Sequence, residues 1–355
     1  MGLPEILINF TKRAASLIKR SQRGIACIVV KDDTDKSFSI KRYKFSTDIE
    51  TAKFTAKNVE YIKDAFLAGP YEVIVARIDI ASAFADAAAI LNTLKYNWVA
   101  YMSATEQQEL ATYVKAKNAV NKARQIKAIT YKATITDDMH IVNFTNEKIK
   151  KKESIEEDGW NYLARLVGVF AAMPLDQSGT YFLLPDLEGV TEPEDVNQAI
   201  DDGELVIIND DGEPKIGRAV NSLQTLSATV TEDMKKIVIV EAMDLIQEDI
   251  YAEFKNNYVR KFKNRYDNQA LFISAVNGYF KNLTKEDVLD PNYDNKSFVD
   301  VDSQRDMHIA MGKAEAEEWT EFEVKKNTIG SKVLLAGNIK ITDAMEDLTF
   351  NIELA

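Results

Sequence analysis

Between Gly24 and Pro174 short apolar runs alternate with stretches whose apolar residues recur at helical spacing, and this succession constrains the fold most strongly. Ile25 to Val30 reads as a buried strand, and Phe38 to Phe45 as a second, weaker one. Asn58 to Leu67 carries Val59, Ile62 and Phe66 on one helical face and stops at Gly69-Pro70. Tyr71 to Ile78 is a strong strand, after which Ser82 is placed to cap a helix holding Phe84, Ala87, Leu91 and Leu94. Trp98 to Met102 predicts a strand, and Thr105 with Gln108 a capping box for a helix through Val114. Strands follow at Ile126 to Tyr131 and His140 to Phe144, then a helix lined by Trp160, Leu163, Val167 and Phe170 that ends near Pro174. Strand and helix in turn predict an α/β fold with a largely parallel sheet covered on its faces.

Beyond this region the pattern changes. Glu204 to Ile208 and Pro214 to Val220 flank Asp210-Asp211-Gly212, a hairpin turn signal. Lys236 to Phe254 is a long amphipathic helix with Met243, Ile246, Ile250 and Phe254 in a stripe, and Asn268 to Phe280 is another. Trp319 to Val324 alternates as a strand does, and Lys332 to Ile341 reads as its companion. The expected organisation is therefore an arm over 1–23, an α/β domain over 24–228, a smaller α+β domain over 229–341 and a second arm over 342–355.

Both ends read as extended strands. Ile6, Ile8 and Phe10 share one side of the first segment, ahead of a basic tether from Lys12 to Arg23. At the other end Leu348, Phe350, Ile352 and Leu354 alternate strictly with polar residues. Such strands pair either within their own sheet or, by strand addition, with another subunit. For a chain of unspecified family, pairing in cis is the better reading.

Composition closes off several chemistries. The net charge is 44 − 56 = −12, which repels a phosphate backbone and disfavours nucleic acid as the main partner. The single cysteine, Cys27, lies in the apolar run Ile25 to Val30 and reads as a buried hydrophobe. Lys12, Arg13, Lys19 and Arg20 break any apolar run near the start, so no secretory signal or membrane span is expected, and synthesis in the cytoplasm is. His140 and His308 are the two histidines, and neither accompanies a nucleophile elbow. Aligning Gly212 with the invariant glycine of a calcium loop puts Ile207 and Arg218 at ligand positions, so no metal is expected, and no phosphate-binding loop is present. No cofactor is implied. Lys255, Arg260, Lys261, Lys263 and Arg265 crowd the connection between the two later helices; a solvated turn is the plain reading of such a cluster.

The chain resembles the contractile tail sheath proteins of phages and R-type bacteriocins. The resemblance runs through Leu3-Pro4-Glu5-Ile6, Arg20 to Val30, Gly203 to Val206, Gly217 to Leu223, Met243 to Ile250 and, most distinctively, Gly337 to Glu346. It implies a subtilisin-like central domain without a catalytic triad, and a non-enzymatic subunit. It also implies hexameric rings stacked around a tail tube, with baseplate and tail terminator proteins as further partners, in a virion tail or phage-tail-like particle. The terminal arms would then pair in trans, through Ile6, Ile8, Phe10, Leu348, Phe350, Ile352 and Leu354. The domain carrying the basic cluster would face the tube. Another self-assembling tail component and an α/β hydrolase-type enzyme are the alternatives.

Overall fold

The structure is a computed structural model that describes residues 18–20, 24–121, 123–134 and 136–354. Its described residues fall into two compact units, a larger one of residues 24–248 and 343–354 and a smaller one of residues 18–20 and 249–342.

The larger unit is built on a seven-stranded sheet. In chain order it carries β1 (Ile25–Lys31), β2 (Ile40–Tyr43), α1 (Ala56–Phe66), β3 (Glu72–Ile78), α2 (Phe84–Leu91), β4 (Trp98–Tyr101), α3 (Gln107–Val120), β5 (Lys127–Tyr131) and β6 (Ile141–Phe144). There follow β7 (Lys148–Lys151), β8 (Glu156–Asp158), α4 (Leu163–Ala172), β9 (Leu187–Val190), α5 (Val196–Asp201), β10 (Glu204–Leu205), β11 (Ile207–Asp210) and β12 (Glu213–Ile216). The sheet order is β10-β6-β5-β4-β1-β3-β2, and every neighbouring pair is parallel except β2 with β3. The expected parallel-rich α/β sheet is present. Alternate residues of β1 feed two different cores: Ala26, Ile28 and Val30 pack with α1 and α4, while Cys27 and Val29 pack with α2 and α3. With both faces covered, the strands are apolar on both sides, which is why they read as continuous runs. Burial pushes the Cys27 thiol well above its ordinary range and leaves it protonated.

Two expected caps are corrected. Ser82 does not cap α2; Ala83 holds that position, and the first helical N–H, of Phe84, donates to the Glu106 carboxylate at 2.9 Å. The Thr105–Gln108 box does not form either, because Glu106 itself precedes α3 in the left-handed region at φ 61°. Lys31 Nζ at 2.9 Å and the Tyr101 hydroxyl at 3.0 Å grip the same carboxylate, so tertiary partners override the local capping signal. The hairpin is as expected: β11 and β12 pair antiparallel, with Asp211 at φ 52° and Gly212 at φ 82° in the two-residue turn.

Helix α6 (Ile237–Glu253) is shared by the two compact units, whose division falls between Glu248 and Asp249. The reason is burial: Val240, Ala242 and Leu245 are sealed, and Glu241 bonds the Trp98 indole at 2.8 Å, so this part of α6 belongs with the sheet.

The smaller unit continues through a π-helical turn, Phe254–Tyr258, to α7 (Tyr266–Lys285), β13 (Lys296–Val299), α8 (Val301–Ala310), α9 (Glu321–Lys326) and β14 (Leu335–Asn338). The strand expected over Trp319 to Val324 is a helix. Thr320 and Glu323 form a full capping box at the start of α9, and only Val324 of this helix is buried. The real partner of β14 is β13, antiparallel, in a two-stranded sheet. Tyr279 on α7 donates to Asp249 at 2.7 Å, and Arg20 is paired with Glu286.

Candidate assembly interface

Residues 343–354 take no regular secondary structure and divide into a held part and a free part. The held part is acidic. Asp343 pairs with Lys236 at 2.5 Å and Asp347 with Arg218 at 2.5 Å. Between them Glu346 accepts hydrogen bonds from the hydroxyls of Ser178 and Thr180, each at 2.7 Å, and lies 3.2 Å from Lys236 Nζ. The free part is the alternating row: Leu348 is 88% exposed, Phe350 75%, Ile352 71% and Leu354 96%. Four large apolar side chains thus stand in solvent along one short segment. Their counterparts Ile6, Ile8 and Phe10 lie outside the described residues.

The anchoring residues Ser178, Thr180, Arg218 and Lys236 come from three separate segments, and no local pattern marks their meeting. The acidic triplet just before the apolar row was the available signal.

In the smaller unit, Lys255, Arg260, Lys261, Lys263 and Arg265 are all exposed and lie on the π-helical turn and the loop before α7. Of these, Arg260 and Lys263 line a groove of about 390 Å³ together with Phe254, Tyr258, Phe262 and Phe272. Tyr258 stacks on Phe262 at 5.0 Å and meets Phe272 edge-on at 4.8 Å. Phe254, Tyr258 and Phe262 recur every four residues, and this stripe walls the groove. Arg260 adopts φ 72°, a strained conformation for a non-glycine residue.

The chemistry-bearing residues elsewhere are tied up in structural pairs. An open α/β sheet binds ligands beyond the carboxyl ends of its strands where the order reverses, here beside β1 and β4. That position is filled: Glu106 is held as described, and Asp32 accepts from Thr34 N at 2.8 Å, Thr55 N at 2.8 Å and Asn58 Nδ2 at 2.7 Å. Burial opposes ionisation of Asp32, but these bonds hold its carboxyl below the usual range. His140 lies between Asp138 and Asp244, at 3.4 and 3.1 Å. His308 is buried, with Nε2 2.7 Å from the Asn327 carbonyl and its ring edge-on to Trp319. Among the described residues, no group of three or more His, Cys, Asp and Glu is placed to hold a metal. No helix there is long and apolar enough to cross a membrane.

Comparison with known proteins decides the family. Over residues 229–355 the sequence matches the phage tail sheath C-terminal domain family. The whole chain is 30% identical over 372 residues to the tail sheath protein of Clostridium phage phiCD119, covering 99% of each. The chain belongs to the tail sheath protein family. As a sheath protein it is a structural subunit, and its relatives are structural sheath proteins too. The sheath fold is shared widely. The contracted helical sheath of the anti-feeding prophage superimposes with TM-score 0.72 at 12% identity, covering 99% of each chain. The contracted sheath complex of the extracellular contractile injection system PVC does so with TM-score 0.68 at 10% identity, over 99% of this chain and 98% of that one.

Proposed function

We propose that this sheath subunit polymerises as stacked hexameric rings around a tail tube, and that its terminal arms add strands to neighbouring subunits. The single observation that carries this reading is the exposed row Leu348, Phe350, Ile352 and Leu354 on a segment without regular secondary structure, rooted in the larger unit. A soluble chain tolerates such a row only where another surface covers it. The sheet of β13 and β14 supplies an acceptor of suitable kind: two strands alone are marginal, and added strands would complete it. Contraction then exchanges interfaces between rigid subunits while the arms hold connectivity, and the energy is stored at assembly, with no nucleotide required. The larger unit would be the subtilisin-like core of this architecture, residues 1–23 and 342–355 its arms, and the basic cluster its tube-facing surface. Tube, baseplate and terminator proteins would be its partners in a virion tail or tail-like particle.

The test is negative-stain microscopy of the intact protein beside a variant lacking residues 348–355. Ringed or striated tubes from the intact chain that vanish on truncation support the arm reading. Identical tubes from both would remove it.

A further inference from the structure

We propose that Glu346 is the pin of the C-terminal arm: Ser178, Thr180, Arg218 and Lys236 clamp its carboxylate and so fix the point and direction at which residues 348–354 leave the larger unit. The inference rests on the arm reading above and adds the residue through which load passes between arm and body.

The clamp has the features of a built carboxylate site. The Glu346 side chain is 5% exposed although Met345 beside it is fully exposed, so one residue of the segment is drawn in and its neighbour is not. Two hydroxyls reach one of its oxygens at 2.7 Å each, while Lys236 at 3.2 Å and Arg218 at 3.9 Å face the other. The cradle is braced independently of Glu346. Thr180 Oγ1 accepts from Ala219 N at 3.1 Å, and Ala219 O accepts from Ile237 N at 3.1 Å, so the three contributing segments are bonded to one another. Burial opposes the charge on Glu346, but the Thr180 and Ser178 hydroxyls and the Lys236 ammonium outweigh it and hold the carboxyl below its usual range.

Position along the chain gives the pin its use. In an extended segment residues two apart share a face, so Glu346 has the same parity as Leu348, Phe350, Ile352 and Leu354. Fixing one member of the series fixes which way the apolar row is presented. A slip of one residue would turn the whole row to the wrong face of an acceptor sheet. Pinning the root also confines the arm before it pairs, which lowers the ordering cost of strand addition.

The experiment places nitroxide labels on Met345→Cys and Ile155→Cys in the full chain and measures the distance distribution between them. Both sites are exposed and Cys27 is fully buried, so labelling is confined to the two introduced thiols. The parent should give a narrow distribution at neutral pH. Glu346→Ala, and separately the Ser178→Ala/Thr180→Val pair, should broaden it at unchanged melting temperature. The same variants should lower the yield of tubes about ten-fold, the scale of a lost charge-assisted hydrogen bond. A distribution that stays narrow in both variants overturns the pin, as does a broadened one with unchanged tube yield. Truncation at 348 that leaves tubes intact would remove the arm reading instead, and the distance measurement would still judge the pin.

Discussion

Lys127 is an ammonium with almost no solvent: its side chain is 1% exposed, paired with Asp244 and 3.1 Å from Glu241, over the Trp98 ring. Both carboxylates come from α6, so the strand β5 holds that helix by charge. Removing one member of a buried group strands the others, and Lys127→Ala is expected to cost about 3–5 kcal/mol. Thermal or urea unfolding of the variant measures it; Lys127→Met should cost similarly, since both carboxylates lose the buried cation between them. His140 adds a pH term. Burial disfavours its charged form, but hydrogen bonds to Asp138 and Asp244 outweigh that and raise its pKa above the ordinary 6.5, while Lys127 opposes them. A raised histidine stabilises the fold fully below pH 6.5, and that contribution fades as pH climbs through the folded-state value. The stability of the parent should therefore fall across that window relative to His140→Gln; parallel curves for the two proteins would show that the pair carries no linkage. This seam is not legible in the sequence, because Asp244 lies more than a hundred positions from both Lys127 and His140 and nothing local marks their meeting.

Elements were more legible than caps. The strands from Ile25 to Phe144 were readable because a sheet buried on both faces demands unbroken apolar runs, and the sequence around Cys27 and Val99 supplies them. The segment Trp319 to Val324 misled because Glu-Phe-Glu-Val alternates as a strand does, yet Thr320 and Glu323 satisfy the helix start and Phe322 stays 56% exposed. There a capping motif outweighed a short alternation. Thr320→Ala should accordingly cost about 1 kcal/mol in thermal unfolding. A larger effect is expected where two helices touch through a missing side chain. A Cβ on Gly168 of α4 would lie 2.1 Å from the Ala65 carbonyl oxygen of α1, and both atoms are fixed by their helices. Gly168→Ala must push α1 and α4 apart, at about 1–3 kcal/mol or more, against the small gain in helix propensity. A variant as stable as the parent in urea would mean the helices separate freely.

At the scale of the molecule, the residues that build the cores and those proposed for assembly are different ones. The cores of the larger unit are sealed without Leu348 to Leu354, and the basic cluster of the smaller unit is exposed throughout, so both surfaces are dispensable for folding. The apolar row Leu348 to Leu354 is visible in the sequence from its strict alternation, whereas the anchorage ahead of it and the aromatic groove depend on tertiary meeting. The separation sets up the last test. Lys261 and Lys263 are solvated, and their loss should leave stability within about 0.5 kcal/mol. Yet in a chain of net charge −12 they form a local positive patch beside an apolar groove, a combination suited to an acidic partner carrying an apolar side chain. If that partner is the tube, Lys261→Glu with Lys263→Glu should weaken sheath–tube co-sedimentation most strongly at low salt, where the screening length is long. The parent should show the same direction of change as salt is raised, since added ions screen the attraction that the substitutions reverse. Co-sedimentation that ignores both salt and charge reversal would leave the cluster a solvated turn, and would move the tube contact to another face of the subunit.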